Sequence, residues 1–85
     1  MDKEFNTAAE KIKTLGQRPS DKILLKVYAL YKQATVGPNK TSEPAFWDIK
    51  SKSKWEAWKA EGKLSQDDAK KKYIYLVNKL VQNGK

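Results

Sequence analysis

The stretch Tyr28-Ala29-Leu30-Tyr31-Lys32-Gln33-Ala34-Thr35 pairs lysine with aromatic rings, and Lys50-Ser51-Lys52-Ser53-Lys54-Trp55-Glu56-Ala57-Trp58 does so again about one helix later. On an α-helix each residue turns by roughly 100°. Tyr28 and Lys32 then stand one turn apart on a single face, with Leu25 beside them. Lys50 and Lys54 repeat the spacing, and Trp58 stands next to Lys54. Two helices thus each present lysine at the margin of an aromatic surface. A ligand with phosphates at one end, a stackable ring nearby and an apolar remainder fits such a pair of surfaces.

Working outward, the periodicity predicts four helices, and no segment reads as a strand. In the first, Phe5, Ala8, Ala9, Ile12 and Leu15 follow the spacing of an apolar stripe. Gly16 ends it, and Gln17-Arg18-Pro19-Ser20 forms a turn. Ser20 or Asp21 caps a second helix running to about Val36. Its buried arc is Leu24, Val27, Leu30, Tyr31 and Ala34, with Lys22, Lys26 and Gln33 on the opposite, solvated side. Gly37 to Pro44 is the one clear loop, and its two prolines suggest an ordered connection. A third helix starts between Asp48 and Ser51 and ends near Gly62. Ser65-Gln66-Asp67-Asp68 resembles a capping box, with acidic residues in the first turn of a fourth helix. Ala69, Tyr73, Leu76, Val77 and Leu80 share one face of that helix, which frays around Asn83-Gly84. The fold class is all-α, a small bundle with one longer connection.

Composition narrows the function. At 85 residues, 1–85 reads as a single domain with one modest core. There is no Cys and no His, which removes thiol nucleophiles, imidazole bases, disulfides and the usual transition-metal sites. The charged N-terminus lacks a signal core, and no apolar run approaches the roughly 18 residues of a membrane span. A soluble intracellular protein is expected. The net charge of +8, with Arg18 as the one arginine, favours an anionic partner: nucleic acid, a membrane surface or a phosphorylated small molecule. No glycine loop of phosphate-cradling spacing is present, and no carboxylate has neighbours suited to acid–base work. An enzyme is not expected, nor a metal or cofactor.

Individual residues carry two readings each. Tyr31, deep in the arc, is core or ligand contact, and both stay open. Tyr28 lies nearer the border, where a ring packs while its hydroxyl reaches a phosphate or ribose, and that reading is preferred. Lys32 stands apart from the solvated cluster. Lys50 and Lys54 repel each other by about 0.2–0.5 kcal/mol, a term that an anion bridging them would reverse. Lys52 points about 160° away from Lys54 and is read as solvated. Lys13 is an edge residue beside Phe5. Trp55 and Trp58 are expected to anchor the core, as is Tyr73. Lys70, Lys71 and Lys72 fan around their helix without forming a patch.

Taken together, the chain resembles the acyl-CoA-binding protein family, also called the diazepam-binding-inhibitor family. The most specific part is Tyr28-x-x-Tyr31-Lys32-Gln33-Ala34-Thr35-Val36-Gly37. Phe5, Ala8-Ala9, Leu15, Pro19, Asp21, Leu25, Lys50, Lys54-Trp55-x-Ala57-Trp58, Asp68-Ala69 and Tyr73-Ile74 support it in order along the chain. The resemblance implies an up-down-down-up four-helix bundle with a shallow bowl for medium- to long-chain fatty acyl-CoA esters. By position, Lys13, Tyr28, Tyr31, Lys32, Lys50, Lys54 and Tyr73 match the family's binding residues. Lys32, Lys54 and the Tyr28 hydroxyl would hold the ribose 3′-phosphate. Tyr31 would stack near the adenine, Tyr73 would approach the nucleotide, and Lys13 would face the pantetheine or pyrophosphate. Phe5, Ala9 and Leu25 would wall the acyl chain. The implied role is a monomeric cytoplasmic acyl-CoA carrier and pool former, with fatty acyl-CoA as its partner and at most transient membrane contact.

Some positions depart from the family pattern. Phe46-Trp47 is bulkier than the aliphatic residues common before the third helix, Ser51 and Ser53 replace smaller residues, and Gly62-Lys63-Leu64 alters the loop into the fourth helix. Trp47 either packs under the loop as extra core or lines the acyl path at the bowl's rim; the rim is preferred, since Trp55 and Trp58 already supply large anchors. The rival function is a small basic nucleic-acid-binding helical domain, weakened by the single Arg and the lack of a recognition motif. A membrane-surface helix is a third reading, weakened by polar faces that carry acids as well as lysines.

Overall fold

Each helix begins where a local signal opens it. Helix α1 (Asp2–Lys11) carries Asp2 and Glu4 in its first turn, where carboxylates complement the helix dipole. It tightens into a 3₁₀ turn over Ile12–Thr14 and stops as Leu15 becomes extended. Helix α2 (Asp21–Thr35) is capped by Ser20, whose hydroxyl accepts from the Ile23 N–H at 3.3 Å. Helix α3 (Ile49–Ala60) is capped by Asp48, which accepts from the Ser51 N–H at 3.3 Å. Before helix α4 (Gln66–Asn83), the Ser65 hydroxyl accepts from the Asp68 N–H at 3.0 Å. The computed structural model describes residues 2–83, among which there is no strand. The helix α4 extends to Asn83, and Gly84, where fraying is expected, lies outside the described residues.

Cross-helix contacts fix the topology. Asp2 meets Lys70 and Phe5 meets Tyr73, so α1 and α4 run the same way. Tyr31 meets Tyr73 whereas Ala34 meets Gln66, so α2 runs against α4. Tyr28 meets Lys54 and Lys32 meets Trp58, so α3 runs with α2. The bundle is up-down-down-up, as the resemblance implies, and α2 lies between α4 and α3 while α1 covers α4. Two consecutive parallel helices need a connection that travels back the length of the bundle, and residues 36–48 supply it.

The core is built from Phe5 and Ala8 of α1, Val27, Leu30 and Ala34 of α2, and Ala69, Tyr73 and Val77 of α4. Gln33 corrects the sequence reading: expected on the solvated side, it is fully buried. A helix flanked on two sides has two buried faces, and a single apolar arc describes only one of them. Gln33 Nε2 donates to the Leu64 carbonyl at 2.7 Å, which satisfies the turn between α3 and α4. On the same side Lys26, also read as solvated, pairs with Glu61.

The connection is ordered by the tryptophans. Trp58 is buried and its Nε1 donates to the Gly37 carbonyl at 2.8 Å. Gly37 adopts φ +98°, a left-handed conformation that favours glycine and turns the chain out of α2. Trp55 is half-buried, and its Nε1 donates to the Thr41 carbonyl at 3.1 Å. Asn39 Nδ2 donates to the Trp55 carbonyl at 3.0 Å. Lys52, expected to be solvated, reaches Glu43 of the connection at 3.4 Å.

Candidate ligand-binding site

The seam between α2 and α3 is where the lysines and rings of the two helices meet. Because the helices run in parallel, residues 26 apart face each other (54 − 28 and 58 − 32). Lys54 Nζ stands 5.4 Å from the Tyr28 ring centroid, and Lys32 Nζ stands 5.5 Å from that of Trp58. The ammoniums therefore rest on aromatic faces across the seam, a cation–π arrangement. Neither makes an ion pair among the described residues, so both keep their hydrogen-bonding capacity for an anion.

Tyr28 and Lys54 form a ridge between two hollows. On one side a groove of about 760 Å³ runs toward the start of α2, with Leu24, Leu25 and Ile49 as apolar walls and Lys50 along its edge. On the other a smaller hollow of about 290 Å³ is bordered by Thr41, Ser42, Ser51 and Trp58. The first has the size and apolar walls of a small-molecule site; the second offers hydroxyls. One molecule with an apolar and a polar end could straddle the ridge.

The structure brings Tyr28, Lys32, Lys50, Lys54 and Leu25 of the expected site residues to this seam. It gathers three others elsewhere. Phe5 stacks on Tyr31 at 5.6 Å and tilts against Tyr73 at 4.9 Å, and the two tyrosine rings lie 5.8 Å apart. Tyr31 is 41 % exposed in this trio whereas Tyr73 is 2 % exposed. Burial pushes the Tyr73 hydroxyl up to about 12, and Tyr31 adds to the shift. Tyr31 thus offers an open ring, resting on two buried ones. Lys13 is exposed on the 3₁₀ turn and pairs with Glu10 at 3.5 Å. The residues expected to wall the acyl chain are divided: Leu25 lines the groove, while Phe5 and Ala9 sit on α1 outside its lining.

Sequence reasoning missed Leu24, Ile49 and Ser53 as groove residues. Leu24 sat on the apolar arc with the core residues, and only its place near the start of α2 distinguishes it. Trp47 is 74 % exposed, which excludes the buried-core reading, and the groove's lining does not include it, so the rim reading gains nothing. Its ring packs edge-on against Phe46 at 5.1 Å.

The family model described as acyl CoA binding protein matches residues 2–77. The chain belongs to the acyl-CoA-binding protein family. It is 48 % identical over 81 residues to an acyl-CoA-binding protein homolog of Drosophila melanogaster, an alignment covering 95 % of this chain and 94 % of that one. Acyl-CoA-binding protein homolog 1 of Caenorhabditis elegans shows the same identity and coverage, 48 % over 81 residues. The crystal structure of Oryza sativa acyl-CoA-binding protein 2 superposes with a TM-score of 0.93 at 43 % identity, over 96 % of this chain and 91 % of that one.

Proposed function

We infer that this chain binds medium- to long-chain fatty acyl-CoA esters and acts as their carrier and pool former. The observation that carries the reading is the ridge itself, Lys54 over Tyr28 between an apolar groove and a hydroxyl-bordered hollow, with Lys32 over Trp58 one turn further along the seam. Lys32, Lys54 and the Tyr28 hydroxyl hold the ribose 3′-phosphate by charge-assisted bonds. Tyr31 offers its open ring to the adenine, and Tyr73 acts by holding that ring. Lys13 faces the pantetheine or pyrophosphate. Lys50 and Leu25 border the path of the acyl chain. Each methylene buried there adds about 0.8 kcal/mol while it stays in contact with protein.

The thioester leaves as it arrived. A chain without Cys or His supplies neither thiolate nor imidazole, and the reading is of a binding protein rather than an enzyme. It acts as a monomer in the cytoplasm, with residues 1–85 as one binding domain. Family membership favours this reading over nucleic-acid binding, and nothing in the comparisons favours the latter.

Calorimetry at physiological salt with palmitoyl-CoA, coenzyme A and a short DNA duplex tests the reading. Palmitoyl-CoA is expected to bind tightest, coenzyme A measurably and the duplex not at all. A duplex that competes with palmitoyl-CoA, or a coenzyme A ester no tighter than coenzyme A, overturns it.

A further inference from the structure

We propose that the turn before α3 is a membrane-docking element: Phe46, Trp47 and Ile49 enter the interface of an anionic bilayer and bring the mouth of the α2–α3 groove to the lipid surface. The proposal rests on the acyl-CoA reading for its purpose, since an acyl ester is exchanged with a membrane through that mouth.

Three large apolar side chains cluster here in the open. Phe46 is 77 %, Trp47 74 % and Ile49 75 % exposed. The Asp48 N–H donates to the Ala45 carbonyl at 3.0 Å, which closes a tight turn with Phe46 and Trp47 at its two central positions. Such positions ordinarily favour Pro, Gly, Asn, Asp or Ser for conformational reasons. Neither aromatic serves the turn, and neither serves the core. Their edge-on contact at 5.1 Å makes them a preformed projection rather than two separate rings.

Area and charge choose the occupant. A buried aromatic covers roughly 150–250 Å², so three side chains about three-quarters exposed offer on the order of 400 Å². A stable protein–protein contact needs about 800 Å² per partner, twice that. A lipid interface needs no shaped partner, and Trp and Phe are the residues suited to it. The neighbouring carboxylates are already committed: Glu43 to Lys52 at 3.4 Å, Asp21 to Arg18 at 2.8 Å and Asp48 to the α3 cap. Lys50, next to Ile49, is exposed and makes no ion pair among the described residues. The chain as a whole carries +8. Anionic headgroups meet that charge while the rings enter the interface. Ile49 and Lys50 also line the groove, so a docked turn puts the groove at the membrane.

The test is co-sedimentation of the full chain with sucrose-loaded vesicles of phosphatidylcholine and phosphatidylserine, without acyl-CoA. The double variant Phe46→Ser/Trp47→Ser is expected to need about tenfold more lipid for half-maximal binding than the unaltered protein. Both should melt alike and bind palmitoyl-CoA alike in solution. Equal sedimentation of the two proteins, or none by the unaltered protein, overturns the proposal. So does lipid-free self-association of the unaltered protein that the double variant lacks, which would make the patch a contact with a second copy. Failure of the acyl-CoA reading shows separately, as absence of palmitoyl-CoA binding in lipid-free calorimetry.

Discussion

Replacing Lys54 by methionine keeps most of an unbranched side chain along the seam and removes the ammonium. In the free protein two small terms change. The contact 5.4 Å from the Tyr28 ring is lost, worth about 0.5–1 kcal/mol at an exposed site. The like-charge repulsion with Lys50 one turn earlier is relieved, worth about 0.2–0.5 kcal/mol. They oppose each other, so the melting temperature should move by no more than a few degrees. On the proposed assignment, Lys54 makes a charge-assisted hydrogen bond to phosphate in the complex, worth about 1.5–3 kcal/mol. Affinity for palmitoyl-CoA should therefore fall about 10- to 150-fold at nearly unchanged stability. Calorimetry with palmitoyl-CoA and its 3′-dephospho analogue locates the bond. The unaltered protein should prefer the phosphorylated ligand, and Lys54→Met should lose most of that preference. A variant that weakens both ligands equally, or a control Lys71→Ala that weakens palmitoyl-CoA as much as Lys54→Met does, would refute the assignment and leave only diffuse attraction.

Tyr28→Phe keeps the ring under Lys54 and removes the hydroxyl; affinity should drop by about 0.5–1.5 kcal/mol or more with little change in melting, and untouched affinity would make Tyr28 a packing residue. Burial holds the Tyr73 phenol neutral and pushes it from its ordinary value of 10.0 up to about 12. A raised folded-state value stabilises fully below pH 10 and is lost as pH rises toward 12, so Tyr73→Phe should show a shallower fall in stability across that window in pH-dependent urea melts. Trp58→Ala should cost about 3–5 kcal/mol, whereas Trp58→Phe, which strands the buried Gly37 carbonyl, should cost about 1–3 kcal/mol in the same denaturation assay.

What the sequence disclosed follows the reach of each signal. Ser20 and Ser65 act on N–H groups three residues away, so both caps were readable from their neighbours, whereas Asp48, which caps α3 in the same way, was legible only as one end of the range in which that helix starts. Pro38 and Pro44 pointed to an ordered connection, and the indole bonds to Gly37 and Thr41 supply that order. The lysine–ring pairs were readable only within a helix. Spacing joined Tyr28 to Lys32 and Lys50 to Lys54, but the pairs that touch are Tyr28 with Lys54 and Lys32 with Trp58. No periodicity contains the offset between two parallel helices. Gln33 was misplaced for a related reason: α2 is flanked on both sides, and a polar residue serving a carbonyl 31 positions later leaves no apolar trace. The groove belongs to neither helix alone, so Leu24, Ile49 and Ser53 became groove residues only once α3 was set against α2.

That separation divides stability from grip. The core joins α1, α2 and α4, whereas α3 contributes one buried residue, Trp58. Polar bonds add to its attachment: Lys26 to Glu61, Lys52 to Glu43, and the bonds of Trp55 to the connection. The groove of about 760 Å³ between α2 and α3 leaves room along this seam for a ligand to fill. On the proposed assignment, an acyl-CoA in the seam would add contact between α2 and α3, with methylenes near Leu25 and Ile49 and a phosphate between Lys32 and Lys54. Binding then stabilises the folded state by RT ln(1 + [L]/Kd), and the gain falls on α3, the element that the core secures least.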